Sequence, residues 1–183
     1  MSKTEKTLEL EKAIWNATNK QGVFGCFEVT IGWFGKERVD YITYDTNGIW
    51  RCYEIKVSKA DFYSKAHNTF CGHFNYYVMP RELYEEVKDD IPKHVGVYTG
   101  EFLARRPKKQ ELGVEEQTLK NSLIRSLARE FQSKIQNNNP DLIKKYKNDI
   151  AKLEREKLEY HNRYIELRNS IPSEVYREMR KAL

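Results

Sequence analysis

The chain has few cysteines, no long apolar run and no apolar leader at its start. Three cysteines among 183 residues are an odd number at irregular spacing, which argues against a scaffold built on disulfides. No window approaches the ~18 consecutive apolar residues that a membrane-spanning helix needs. The charged segment 1–6 is not followed by the apolar region of a signal peptide. These absences predict a soluble, cytoplasmic protein in a reducing compartment, without a membrane partner.

The overall composition is typical of a globular protein and leaves the function open. Hydrophobic residues make up 39% of the chain and charged residues 32%, which suits one domain with a sizeable core plus an appendage. The formal net charge of +5 would favour polyanionic partners. Many enzymes that bind no nucleic acid are equally basic, so the charge alone does not identify a partner.

Glycine is absent after Gly113, and the prolines beyond it are Pro140 and Pro172. Every fourth residue from 119 to 135 is apolar, which predicts one helix that ends at the Asn-Asn-Asn-Pro turn of residues 137–140. We therefore predict two domains, residues 1–113 and residues 114–183. The second is expected to be a C-terminal α-helical hairpin, with Pro172 opening a short last helix.

A heptad pattern marks the second helix of this tail. Its seam positions are Ile143, Tyr146, Ile150, Leu153, Lys157, Tyr160, Tyr164 and Leu167. We expect the seam to be buried against the first tail helix or in a homo-oligomer, with Lys157 as a polar irregularity. The tail holds fifteen Lys or Arg residues against eleven Asp or Glu residues, which is typical of a solvated helical face and also compatible with contact to DNA.

The first 104 residues alternate between helical and strand-like patterns. Helices are predicted over 4–20 and 81–88 and from Ser58 onward, and strands over 27–34, 39–44, 74–79, 95–98 and 101–104. The Asn47-Gly48 pair predicts a type I′ turn, whose two central residues have positive φ, and thus a hairpin leading into a strand that carries Glu54. This order of elements predicts an α/β fold.

An acidic residue, Asp40, precedes the triplet Glu54-Ile55-Lys56 by fourteen residues. On a strand, Glu54 and Lys56 point to one face while Ile55 points to the other. The predicted hairpin brings Asp40 alongside the strand of Glu54. Two carboxylates on neighbouring strands can hold a hard divalent cation, and a nearby lysine can stabilise charge on a phosphate or on a metal-bound hydroxide.

These residues resemble the PD-(D/E)xK nuclease superfamily, with Asp40 and Glu54 as its acidic residues and Lys56 as its lysine. Segments 54–62, 73–80 and 91–98 look like the MmcB-like branch, which is described as DNA repair proteins with many phage-encoded relatives. The resemblance covers roughly residues 20–112 and departs where Val39-Asp40 replaces the usual Pro-Asp. It implies a restriction-endonuclease-like core, in which helices flank a mixed central sheet.

The resemblance also implies a metal centre. A Mg²⁺ or Mn²⁺ ion would be held by Asp40, Glu54 and the carbonyl of Ile55, while Lys56 would position or deprotonate the attacking water or balance the charge of the transition state. Glu28 is expected as a third carboxylate, because it lies on the strand before the turn that leads to Asp40 and relatives carry a glutamate there. The alternatives are Glu5, Glu9 and Glu11 on the first helix.

Four cationic or polar residues beside the triplet are candidates for nucleic-acid binding: Lys59, Lys65, His67 and His73. Cations there would contact phosphates without reading the base sequence, so DNA affinity should depend on salt. Ser58 and Asp61 have two interpretations. They could cap the next helix as a capping box, or they could serve the site directly.

The leading functional hypothesis is a metal-dependent DNA nuclease that hydrolyses phosphodiester bonds in DNA repair, replication or phage DNA processing. One alternative is a non-catalytic DNA- or protein-binding accessory, for repair or anti-defence, that keeps the nuclease fold. Another is an oligomeric scaffold formed through the C-terminal helices. The combination of Asp40, Glu54 and Lys56 favours the enzyme, because burying three ionisable groups together is costly without a metal or substrate.

Overall fold

A computed structural model of the protein describes residues 4–33, 35, 37–64, 68–137 and 140–170. The chain divides into two compact units, with the division between Glu130 and Phe131. The short helix predicted after Pro172 lies outside the described residues. In the part of the chain that is described, no helix is long and apolar enough to cross a membrane.

The first unit contains six strands and several helices in an α/β order. The strands are β1 (Val23–Thr30), β2 (Arg38–Asp45), β3 (Trp50–Ile55), β4 (Phe74–Met79), β5 (Gly96–Thr99) and β6 (Phe102–Arg105). The helices of the chain are α1 (Glu5–Thr18), α2 (Lys59–Phe62), α3 (Arg81–Val87), α4 (Glu116–Asn137) and α5 (Pro140–Ser170).

The six strands form one mixed sheet in the order β1-β2-β3-β4-β5-β6. Strands β1, β2 and β3 form an antiparallel meander, β3, β4 and β5 run parallel, and β6 returns antiparallel to β5. The parallel neighbours need crossovers, which α2 and α3 supply. A mixed α/β fold with a central sheet flanked by helices, and helices at the C-terminal end, is therefore confirmed.

Each face of the sheet carries its own buried core. On one face, Tyr53 of β3 shares a cluster with Ile14 of α1. On the other face, the neighbouring residue Cys52 shares a cluster with Leu119 of α4. A third cluster, under α3, covers β4 and β5. The period of two along β3 thus divides its side chains between α1 and α4.

The turn between β2 and β3 differs from the predicted type I′ turn. Only Gly48 has positive φ there, at 78°, whereas a type I′ turn needs two such residues. The Gly48 N–H donates to the Asp45 carbonyl at 2.9 Å, and the Asp45 carboxylate accepts from the N–H groups of Asn47 and Ile49. The aspartate therefore holds a longer turn, because its side chain satisfies two backbone donors.

The first half of α4 belongs to the first unit, so the division falls later than the predicted one at Gly113. Leu119 and Leu123 are buried in the cluster under β1 to β3. The Ser122 hydroxyl accepts a hydrogen bond from the Gly32 N–H at 2.9 Å. The apolar stripe that predicted one tail helix is thus part core and part surface.

The second unit contains the end of α4 and the 31-residue helix α5. The apolar residues of the heptad seam, from Ile143 to Leu167, are 40% to 71% exposed. The predicted burial of this seam against the first tail helix is not present in the single chain. A second copy as its partner stays a prediction.

Leu119→Ala should destabilise the protein by about 2 to 5 kcal/mol, because it opens a cavity under β1 to β3. Ile124→Ala, on the exposed side of the same helix, is the matched control and should change the free energy of unfolding by about 0.5 kcal/mol or less. Urea denaturation followed by circular dichroism measures both values. Equal effects of the two substitutions would contradict the placement of α4.

Candidate active site

Asp40 and Glu54 lie side by side on neighbouring strands. Tyr41 of β2 pairs with Tyr53 of β3 in antiparallel register. Continued by one residue, this register places Asp40, which precedes Tyr41, opposite Glu54, which follows Tyr53. The charge of Asp40 acts on Glu54 from the neighbouring strand, and alternation along β3 places Glu54 on the same face as Cys52. This is the face that α3 and α4 cover.

The Asp40 carboxylate is half-buried and bonded to the neighbouring strand. Its Oδ2 accepts a hydrogen bond from the Ile55 N–H at 2.8 Å. Burial raises the pKa of Asp40, and this effect outweighs the Ile55 hydrogen bond and the charges of Lys56 and Arg38, which lower it. The negative charge of Asp61 raises the pKa of Asp40 further.

Glu54 is more deeply buried, with 3% of its surface exposed. Its Oε1 accepts a hydrogen bond from the Thr69 N–H at 3.1 Å. Burial, followed by the negative charge of Asp40, raises the pKa of Glu54 to about 8. The hydrogen bond from Thr69 and the charge of Lys56 act in the opposite direction. Near neutral pH the pair therefore resists carrying two negative charges without a cation.

Lys56 completes the group and is also buried, at 5% exposure. Its N–H donates to the Val78 carbonyl at 2.9 Å, which continues the pairing of β3 with β4 beyond Ile55. The side chain of Lys56 therefore follows that of Glu54 on the same face. The structure thus brings together Asp40, Glu54 and Lys56.

Two polar atoms on the segment that covers Glu54 are buried without a hydrogen-bond partner in the described part of the chain. They are Asn68 Oδ1 and Thr69 Oγ1. The amide nitrogen of Asn68 donates to the Tyr77 hydroxyl at 2.9 Å, and Tyr77 pairs with Glu54 across β3 and β4. An unpaired buried polar atom costs about 1 to 3 kcal/mol. Such atoms beside a carboxylate mark a place where a polar ligand would be stabilised.

Glu28 lies opposite Asp40 on β1, but its carboxylate does not join the group. Its Oε2 is 3.6 Å from the Arg38 guanidinium, and its side chain is 38% exposed. Glu28 is the one non-glycine residue with positive φ among the described residues, at 53°. Such a backbone is strained for glutamate, although β1 and β2 keep a one-to-one register on both sides of it.

The strand alternation slips at this point. Cys26 and Val29 belong to one core cluster although they are three positions apart, and so do Val39 and Ile42 on the paired strand. Regular strands would place the members of each pair on opposite faces. The local distortion and the ion pair with Arg38 explain why the expected third carboxylate is not assembled with the other two.

The glutamates of α1 are not at the site either. Leu10 and Ile14 of α1 pack with Tyr41, Tyr53 and Ile55, on the face of the sheet opposite to that of Glu54. Glu5, Glu9 and Glu11, the alternatives to Glu28, are therefore carried by a helix on the wrong side of the sheet.

Ser58 and Asp61 cap α2. The Ser58 hydroxyl accepts from the Asp61 N–H at 3.2 Å, and the Asp61 carboxylate accepts from the Val57 N–H at 3.0 Å. The second contact lies one residue earlier than in a standard capping box. Asp61 also raises the pKa of Asp40 through its negative charge. It therefore has a capping role and an electrostatic effect on the candidate site.

The residues predicted to bind nucleic acid have different positions. Lys59 is exposed and forms an ion pair with Glu86 at 3.2 Å. His73 precedes β4 at the end of the sheet away from Glu54, and its Nδ1 accepts from the Trp50 N–H at 3.1 Å. His73 thus satisfies a backbone donor and does not flank the site. Lys65 and His67 lie outside the described residues.

Two carboxylates could hold a divalent ion only together with ligands from outside the protein. In the described ranges, no three His, Cys, Asp or Glu side chains form a group that could hold a metal ion. The donor set is two carboxylates, with the Ile55 carbonyl as the further ligand predicted. Mg²⁺ is commonly held by one or two carboxylates, with substrate phosphates and water completing its six ligands.

Comparison with known proteins shows a likeness of fold. No family model and no curated protein matches the chain. A solved structure that resembles it is the SPO1766 protein of unknown function from Silicibacter pomeroyi. The TM-score is 0.56 at 17% sequence identity, over 76% of this chain and 96% of that one.

Sequence reasoning did not identify Asn68 and Thr69, because nothing in their pattern signals that they cover Glu54. It also passed over Trp33. Trp33 falls at the end of the predicted strand 27–34, but Gly32 and Gly35 on either side of it are a signal that the strand stops earlier and that the indole lies outside the sheet.

Glu54→Gln should make stability less sensitive to pH. A carboxyl group with a raised pKa binds its proton more tightly in the folded state, so wild-type stability falls as pH rises from 4.5, its ordinary pKa, to about 8. Each such group contributes a slope of at most about 1.4 kcal/mol per pH unit. Glutamine keeps an acceptor for Thr69 and removes the titration.

Urea denaturation at pH 5.5, 7 and 8 measures this effect. Glu86→Gln, at an exposed glutamate of α3, is the control and should retain the wild-type slope. If the stability of the Glu54→Gln variant depended on pH as steeply as that of the wild type, the raised pKa of the buried Glu54 carboxyl would be contradicted.

Proposed function

We propose that the protein is a metal-dependent nuclease that hydrolyses phosphodiester bonds of DNA, in repair, replication or phage DNA processing. The observation that carries the proposal is that Asp40 and Glu54 lie on adjacent strands close enough for the charges of Asp40 and of the buried Lys56 to act on Glu54. The antiparallel meander followed by two parallel crossovers supports a restriction-endonuclease-like core, which is part of the proposal.

The energetic cost of the group supports a ligand. Burial raises the pKa of both carboxylates, the charge of Asp40 raises the pKa of Glu54 further, and Lys56 only partly compensates for these effects. Arrangements of this kind are expensive in a purely structural role, because apolar residues of similar size would stabilise the core more. Perturbed carboxylates with a lysine partner are typical of catalytic sites.

The roles follow from the donors. Asp40 and Glu54 would hold Mg²⁺ or Mn²⁺ together with a substrate phosphate. When bound, the ion supplies charge neutralisation and a more acidic water. The ammonium of Lys56 lies on the same face and would orient the attacking water or stabilise charge on the phosphate. The Ile55 N–H keeps the Asp40 carboxylate in place through its 2.8 Å hydrogen bond.

A second candidate function is a non-catalytic accessory that binds DNA or assembles through its tail. The specific observation in its favour is the exposed heptad seam of α5. An apolar seam of this length is stabilised by association with a second copy. Assembly through α5 would also be compatible with nuclease activity in the first unit.

Asp40→Asn, Glu54→Gln and Lys56→Met should each reduce cleavage of labelled DNA in the presence of Mg²⁺ or Mn²⁺ by at least about a hundredfold. This magnitude is that of losing one group that stabilises transition-state charge. EDTA should abolish the wild-type activity. A panel of single-stranded, duplex and branched substrates identifies the preferred form.

Glu86→Gln is the control for this experiment, because it removes an exposed carboxylate of α3. Circular dichroism of every variant establishes that the fold is intact. Wild-type protein that cleaves no DNA form with either metal, or a Lys56→Met variant as active as the wild type, would contradict the nuclease proposal.

A further inference from the structure

An exposed tryptophan stands at the end of the sheet where the candidate site lies. Trp33 is in the loop between β1 and β2, and 75% of its surface is exposed. Thr30, the last residue of β1, pairs with Arg38, and Asp40 follows two residues later on β2. At ~3.4 Å per strand residue, the Cα atoms of Trp33 and Asp40 are about 20 Å apart or closer.

Helix α4 holds the backbone just before this tryptophan. The Arg125 guanidinium lies 5.2 Å from the centre of the Trp33 ring. The same guanidinium donates to the carbonyl oxygens of Thr30 at 2.7 Å and Gly32 at 2.8 Å. The Ser122 hydroxyl accepts from the Gly32 N–H. The backbone next to Trp33 is thus held by hydrogen bonds, while the indole itself faces solvent and does not belong to a core cluster.

The chemistry of Trp33 and Arg125 suits a base and its phosphate. Arg125 takes part in no ion pair within the described residues, and its hydrogen bonds go to backbone carbonyls, so its positive charge is not neutralised by a carboxylate. A cation near an indole orients the ring and adds cation–π stabilisation to stacking. Exposed aromatic rings beside arginines are the elements with which proteins bind single-stranded nucleic acid.

We propose that Trp33 stacks on an unpaired base and that Arg125 contacts an adjacent phosphate, so that the substrate has a single-stranded segment near the bond to be cut. This inference rests on the proposed function, because it takes nucleic acid as the substrate. Bases inside a duplex already stack on their neighbours and offer no free face to the indole. The protruding ring therefore favours single strands, flaps and frayed ends over intact duplex.

Fluorescence anisotropy in EDTA tests the inference with the full-length protein and no cleavage. The probes are a labelled oligo-dT strand and a labelled duplex of equal length. Trp33→Ala should weaken oligo-dT binding roughly tenfold, the effect of losing one stacked base, and should leave duplex binding unchanged. Trp33→Phe should restore most of the lost affinity, because it keeps an aromatic face.

Phe102→Ala is the matched control. Phe102 is equally exposed, at 78%, but lies on β6 at the opposite edge of the sheet. This variant should bind oligo-dT like the wild type. In addition, oligo-dT should quench the tryptophan fluorescence of the wild type, and Trp33→Phe should bind without most of that quenching. Trp50 is fully buried, and Trp15, which is 38% exposed, belongs to α1 on the opposite face of the sheet.

Two results would overturn the inference: unchanged oligo-dT affinity in Trp33→Ala, or an equal loss for oligo-dT and duplex. The second would make the loop a contact for the phosphate backbone alone. The nuclease proposal fails separately. If oligo-dT binding depends on Trp33 but no metal-dependent cleavage is seen, the stacking inference is supported and the nuclease proposal is contradicted.

Discussion

The shared burial of the Asp40 and Glu54 carboxylates is the constraint on which the candidate site depends. Water is largely excluded from Glu54, burial raises the pKa of both carboxylates, and the charge of Asp40 makes ionisation of Glu54 still less favourable. Single backbone donors, the N–H groups of Ile55 and Thr69, hold them in place. Such a pair gains most from a divalent cation, because one ion compensates both charges at once.

The surrounding fold maintains this pair from three directions. The Asp45-stabilised turn sets the register of β2 and β3, which places Asp40 opposite Glu54. The segment that contains Thr69 closes over Glu54 from the β4 side. The first half of α4 covers the β1 side and holds the backbone just before Trp33. The site therefore lies between the helices of one face, and α1 on the other face supports it only from behind the sheet.

The sequence was sufficient to predict the pairing of Asp40 with Glu54, because an alternating pattern and a turn at Gly48 define neighbouring strands whatever the turn type. It did not predict that Glu28 would have a positive φ and pair with Arg38, because both features depend on the tertiary structure around β1. His73 was misplaced for a related reason. His73 is close to Glu54 in the sequence, but β4 runs parallel to β3 and begins beside the first residues of β3, away from Glu54.

The tail shows a second limit of pattern reasoning. Leu119, Leu123, Leu127, Phe131 and Ile135 follow one spacing of four residues. Their burial differs, because Leu119 and Leu123 meet the sheet and the last three are exposed. Periodicity predicted the helix correctly, but it carries no information on where along the helix its tertiary partner ends.

Calorimetric titration with Mn²⁺ tests the central claim most directly, since it requires no knowledge of the substrate. At pH 8.5, above the pKa of about 8 for Glu54, the account predicts saturable binding of an ion to the wild type and to Glu86→Gln. Asp40→Asn and Glu54→Gln should lose this binding. Binding of equal affinity and stoichiometry in Asp40→Asn, or no binding to the wild type, would contradict a metal centre at this carboxylate pair.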